Sequence, residues 1–258
     1  MPRYSAQNLH LPHSLHYSWT GWPSQDTLPP LPSLDSIWSN DGLQVVGHQS
    51  DRASLQITFE APPDVSPVFV ASRAKGRLQH ALRQSGTSVS FSRKVSIRSL
   101  GKNITQIVET YIRDQLEHVE LADPRYRQLL AESSIHNPDV HLADPTPTHS
   151  GRYWYNLHLV LVVANRFRIG GKEFLHKLRD QTMALEFEFS RMAIMPDHLH
   201  IALRGDPEKS PKEIGVEIQN SLAQAAGMRL WQDEFYVGTF SEYSLDAICC
   251  PPGHPSSF

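Results

Sequence analysis

The sequence predicts an α+β protein made of two tandem copies of one strand-and-helix unit. Three observations lead to that fold class. Segments with period-two apolar alternation are interleaved with segments of helical period. A Ser-Pro helix start occurs twice, at Ser66-Pro67 and at Ser210-Pro211, each time about twenty residues before a glycine stop. A stretch rich in Pro, His, Asp and Thr lies between the two halves. Strands interleaved with helices at this spacing suit an antiparallel sheet covered by helices.

The first copy is expected over 1–122. SLHYSWTGW from Ser14 alternates as a strand, and SLDSIW from Ser33 begins a short helix. LQVVGHQ and SLQITFE follow as two strands. SPVFVASRAKGRLQHALRQSG is a helix with Ser66 as N-cap, Pro67 in the first turn and Gly86 as stop. SFSRKVSIRSLG from Ser90 is a strand. NITQIVETYIRDQLEHV from Asn103 is an amphipathic helix, with Ile104, Ile107, Val108, Tyr111, Ile112 and Gln115 at helical spacing.

Residues 123–149 are expected to be a linker, because their composition favours turns over regular structure. The second copy, 150–258, then starts over. YNLHLVLVV is a strand, KEFLHKLRDQTMAL a helix, and EFEFSRMAIM and HLHIALRG are strands. SPKEIGVEIQNSLAQAAG is the second Ser-Pro helix, and EFYVGTFS closes the unit as a strand. The copies align with Leu15-His16 on Leu157-His158, SLQITF on HLHIAL, and SIRSLG on YVGTFS. Two units of about 110 residues suit the length better than one domain. In this alignment His198 and His200 lie over Ser54 and Gln56. Tyr111 lies over roughly Pro251, where CCPPGHPSSF cannot continue a helix and the unit looks truncated.

Composition narrows the function classes. No apolar run is long enough to span a bilayer, and the N-terminal residues lack the apolar core of a secretory signal, so a cytoplasmic protein is expected. The two cysteines, Cys249 and Cys250, are adjacent, which excludes a disulfide framework and a cysteine zinc site. The net charge of -3 excludes a uniformly basic nucleic-acid binder, so the distribution of charge decides. Between Ala71 and Lys102 every charged residue is basic. Arg73, Lys75, Arg77, Arg93, Lys94, Arg98 and Lys102 are therefore candidates for phosphate contacts, with a solvated basic face as the alternative. Tyr153, Trp154 and Trp231 are candidates either for base stacking or for the core.

The chemistry-bearing motif is MPDHLH, Met195 to His200. On a strand His198 and His200 point to one face and Leu199 to the other. Alone, such a pair suits an ordinary strand as well as a metal platform, and two imidazoles leave a divalent ion short of ligands. Tyr111 and Gln115 stand four apart on a helix and share a face, which fits a nucleophile beside a ligand or a tyrosine packed on a sheet.

MPDHLHIAL resembles the signature of the single-tyrosine HUH transposases, the IS-two-hundred type and their REP-associated relatives. SIRSLGKNITQIVETYIRDQ resembles the closing strand and the Y-I-x-x-Q helix of the same family. The resemblance covers most of the second half and, more faintly, Leu15 to Gln115. It implies ferredoxin-like domains, paired so that histidines from one unit meet a tyrosine helix from the other. Carried over, Tyr111 is the nucleophile, and His198, His200 and Gln115 are ligands of Mg²⁺ or Mn²⁺. The substrate implied is single-stranded or hairpin DNA, cut through a 5′-phosphotyrosine. The motif order departs from the family, with tyrosine before histidines. The expectation is a fused pseudo-dimer with one composite site and a dead site around Ser54, Gln56 and Pro251. It would act as a single chain, with a homo-oligomer as the alternative. A DNA-binding regulator that has lost catalysis is the competing function.

Overall fold

A computed structural model describes residues 2–24, 28–120, 123–164 and 171–249 of the chain. The fold is α+β, with two sheets and helices consistent with two ferredoxin-like units. The first unit contains β1 (Leu15–Gly21), β2 (Gln44–Ser50), β3 (Leu55–Ala61), α1 (Pro67–Gln84), β4 (Val95–Leu100) and α2 (Thr105–Arg113). Next come α3 (Pro124–Ser133), β5 (Ile135–His136), β6 (Thr146–Pro147) and β7 (Gly151–Trp154). The second unit contains β8 (Asn156–Val162), α4 (Lys172–Met183), β9 (Glu188–Ile194), β10 (His198–Arg204), α5 (Pro211–Ala226), β11 (Tyr236–Phe240) and α6 (Leu245–Cys249).

The two units have one topology. The first sheet runs β2-β3-β1-β4 and continues into β7 and β6. The second runs β9-β10-β8-β11, with β5 added beyond β9. The four shared strands pair antiparallel in both. The Ser-Pro helices form as their sequences predict. The Ser66 hydroxyl accepts from Phe69 N, and Ser210 and Glu213 make a reciprocal capping box. Gly86 and Gly227 follow these helices with φ of 82° and 73°, a region that costs glycine little. The first unit has no counterpart of α4 among its described residues. SLDSIW forms turns that lead into a short 3₁₀ segment, Ser39–Asp41, instead of a helix.

Strand pairing shifts one alignment. His16 pairs with Leu100 and Asn156 pairs with Phe240, so Ser18 is the counterpart of His158, two residues from the expected match. A shift of two keeps every side chain on its own face, which is why the pattern alone did not resolve it. Residues 123–149, expected as a linker, join the halves as folded structure. Helix α3 packs on β9 and α4, β5 pairs with β9, and β6 pairs with β7. Strand β7 itself lies parallel to β4 in the first sheet, so the chain changes sheets at Tyr155.

One apolar core runs through both units, anchored by Trp19, Trp38, Phe59, Tyr153, Tyr155 and Trp231. Each such side chain removed from water contributes about 1.5–3 kcal/mol before entropy is counted. Tyr153 and Trp231 are fully buried here, so of the two readings open for them the core one holds. The units meet where β4 and β11 end, through reciprocal bonds. Ser99 Oγ donates to Phe240 O at 2.8 Å and Thr239 Oγ1 to Leu100 O at 2.6 Å. Thr105 N donates to Ser241 O and Leu245 N to Gly101 O, both at 2.8 Å. Gly101 is needed there, since a Cβ at this residue would lie 1.9 Å from Thr239 O. Helix α2 then crosses to β9 and β10 of the second sheet, and α6 crosses to β2 of the first.

Candidate active site

Helix α2 is amphipathic, and its apolar side is what carries it across. Val108 and Ile112 are buried against Ala193 of β9, Ala202 of β10, Phe240 of β11 and Leu142. The two alanines leave room for the helix to lie close to the strands. Tyr111, on the neighbouring side of the helix, is left half-exposed over the second sheet. Its ring centroid lies 5.3 Å from that of His200 in an edge contact.

Strand alternation places the two histidines of MPDHLH as expected. Leu199 is buried in the core, while His198 and His200 share the opposite face with ring centroids 4.8 Å apart. Each imidazole has its Nδ1 engaged. His198 Nδ1 is 2.6 Å from an Asp197 carboxylate oxygen, and His200 Nδ1 is 3.1 Å from His158 Nε2. That leaves Nε2 of each ring as the nitrogen that could coordinate a metal. Burial pushes the His158 imidazole down to about 4. Burial also pushes His200 down to about 3, with the two neighbouring histidines adding to the effect. Both are therefore neutral near pH 7, the form in which imidazole binds a metal.

These side chains line a cavity of about 670 Å³ between α2 and the second sheet. Ile107, Val108 and Tyr111 form one wall, and His158, Val160, Val162, Asp197, His198, His200 and Tyr236 the other. His158 and Tyr236 were not predicted from sequence, nor was a role for Asp197 in the lead-in. The signal for His158 was present in LHLVLVV, where it stands on the same strand face as Val160 and Val162, turned away from the core leucines. Tyr236 packs edge-on against His158 at 5.6 Å, and burial, then the Tyr111 phenol, raises its pKa.

Gln115 lies beyond the end of α2, buried within a 3₁₀ turn, and is not among the residues that line the cavity. Its amide nitrogen donates to the Tyr111 carbonyl at 3.0 Å. Among the described residues no group of three or more His, Cys, Asp or Glu side chains is arranged to hold a metal. A metal held by the imidazole pair would therefore need a donor of another kind. In the first unit the corresponding surface is a cavity of about 540 Å³ lined by residues including His48, Gln49, Gln56 and Ile248. There Gln56 Nε2 donates to Ser18 Oγ at 2.6 Å, and Pro251 lies outside the described residues.

The basic residues are spread and partly engaged. Arg73 and Arg77 on α1 make ion pairs with Asp41, a residue the local sequence did not bring into view. Lys75 Nζ donates to Ser92 O, and Arg93 bonds His149. Arg98 pairs with Glu242 and sits over the rings of Trp154, at 4.2 Å, and Tyr243, at 5.1 Å. Lys102 lines a neighbouring cavity that shares Asn103, Val108, His158 and Tyr236 with the first. Lys94 lies between Arg93 and the start of β4. No helix among the described residues is long and apolar enough to cross a membrane.

Residues 152–250 match the family described as "Transposase IS200 like". Comparison with curated proteins finds no match.

Proposed function

We propose, from the match of residues 152–250 to the family described as "Transposase IS200 like", that the chain nicks and rejoins single-stranded DNA at one composite site. The observation that carries this reading is the crossing of α2. A helix that follows the first sheet lies on the second, with the Tyr111 ring 5.3 Å from that of His200. The shared strand order and the reciprocal bonds at the ends of β4 and β11 support a fused pseudo-dimer.

Tyr111 is the nucleophile in this reading. Its phenolic oxygen bonds to the scissile phosphorus as the bond to the 3′-oxygen breaks. The phenol gives up its proton and the leaving oxygen takes one. The products are a 5′-phosphotyrosine and a free 3′-hydroxyl. Attack of a 3′-hydroxyl reverses the step, and the phosphodiester energy is kept without ATP. The donor set fits a divalent ion: two imidazoles, each with Nδ1 bonded and Nε2 left to coordinate. His198 and His200 would hold Mg²⁺ or Mn²⁺, with the Gln115 amide oxygen as third donor, since the amide nitrogen is bonded to Tyr111. A bound ion supplies Lewis-acid polarisation of the phosphate. Lys94 and Lys102 attract the strand electrostatically. One site suffices to nick and reseal, and joining two ends takes a second chain.

The test is covalent capture. A labelled single-stranded hairpin oligonucleotide is incubated with the protein and Mn²⁺, then run on a denaturing gel. A protein–DNA adduct is expected that disappears with EDTA, in Tyr111→Phe and in His200→Ala. An adduct that persists in Tyr111→Phe refutes the assignment. Hairpin binding with no adduct from the wild type favours the regulator instead.

A further inference from the structure

We infer that His158 is a positioning residue for His200: its Nε2 accepts a hydrogen bond from His200 Nδ1–H and so fixes the tautomer whose Nε2 is open to a metal. This rests on the proposed metal site. The two nitrogens are 3.1 Å apart, and a hydrogen bond between two neutral imidazoles has one donor and one acceptor. If His200 donates from Nδ1, its Nε2 carries the lone pair. If His158 donates instead, His200 is protonated on Nε2 and is lost as a ligand. The useful arrangement is thus one of two, and the partner ring decides which is populated.

The contact follows from strand register. His158 pairs with Ala202 and His200 with Val160, so the rings are diagonal neighbours on one face of the sheet. Their centroids lie 5.4 Å apart with planes 21° apart, so the rings meet edge to edge and nearly coplanar, as an imidazole–imidazole hydrogen bond requires. His200 is only 3% exposed, so water is a poor substitute for the ring that His158 provides. His198 does not depend on this contact, because the Asp197 carboxylate holds its Nδ1. In the first unit the same two strand positions also touch, through the Gln56 amide and the Ser18 hydroxyl. The fold thus brings these positions together in both units, and only the second fills them with imidazoles.

Two variants separate tautomer control from packing. His158→Phe keeps an aromatic ring in the sheet and removes the acceptor, and His158→Gln restores an acceptor without the ring. The first readout is the His200 tautomer in ¹⁵N-histidine-labelled protein, by long-range ¹H–¹⁵N correlation in EDTA and without DNA. The second is Mn²⁺ affinity, by paramagnetic resonance titration of the free ion, also without DNA. Wild type is expected to show His200 protonated on Nδ1. His158→Phe should mix the tautomers and weaken Mn²⁺ binding by about 10–100-fold, and His158→Gln should recover most of that loss. A wild-type His200 protonated on Nε2 overturns the inference, even if His158→Phe fails to fold. Equal Mn²⁺ affinity in wild type and a folded His158→Phe also overturns it, while leaving the nicking reading intact. A wild type that takes up no Mn²⁺ overturns the metal reading and this inference with it.

Discussion

Replacing Ile112 by alanine tests whether the crossing of α2 makes the site. Ile112 is 1% exposed and packs in a small cluster with Val108, Ala193, Ala202, Phe240 and Leu142. Large-to-small core changes of this kind cost about 2–5 kcal/mol, more where neighbours cannot close the gap. Ala193 and Ala202 offer only methyl groups fixed on β9 and β10, so little collapse is available, and the upper half of that range applies. Helix α2 has nine residues, too few to persist undocked. The loss should therefore appear as opening of α2 itself. A cost of about 4 kcal/mol corresponds to roughly a thousandfold faster amide exchange in that segment. The assay is hydrogen exchange by mass spectrometry on peptides spanning 105–113 and 198–204, run beside the covalent-capture assay. Exchange in α2 should accelerate, β10 should change far less, and adduct yield should fall, with Mn²⁺ affinity falling too because Gln115 follows α2 and is bonded to Tyr111. Undiminished adduct yield with an opened α2 would show that Tyr111 does not act from this docked position.

Other consequences follow from the same geometry. In EDTA, stability should fall on acidification from about pH 6.5 toward 4, because the unfolded chain protonates at His158 and His200 before the folded one does. The ceiling is about 1.4 kcal/mol per pH unit for each imidazole, the loss ends near the folded values of about 4 and 3, and urea denaturation at pH 7 and 5 should flatten in His158→Gln. Gly101→Ala places a Cβ 1.9 Å from a backbone oxygen of β11, so the contact between the units must separate, with a loss of at least about 2 kcal/mol in denaturant unfolding. Arg73 and Arg77 are tied to Asp41, so Arg77→Ala should leave the salt slope of oligonucleotide binding unchanged, whereas Lys102→Ala should reduce it by about 1.

By itself the sequence determined most of the regular elements and the faces their side chains take. Ser-Pro starts and glycine stops fixed both long helices, because caps act within one turn. Alternation in HLHIALR fixed which way His198 and His200 face, because side-chain direction on a strand is local. The internal repeat was legible because both units need the same apolar pattern to cover the same sheet. Tertiary structure decided what no local pattern encodes. Strand register made Ser18, not His16, the counterpart of His158, since a slip of two preserves the faces. Cross-strand pairing added His158 and Tyr236 to the cavity, and long-range packing turned the expected linker into α3, β5 and β6. The same packing set Asp41 against two of the arginines and drew Tyr153 and Trp231 into the core. Above all, Tyr111 lies beside His200 because Val108 and Ile112 find their apolar partners on the other sheet, and burial of apolar surface takes no account of distance along the chain.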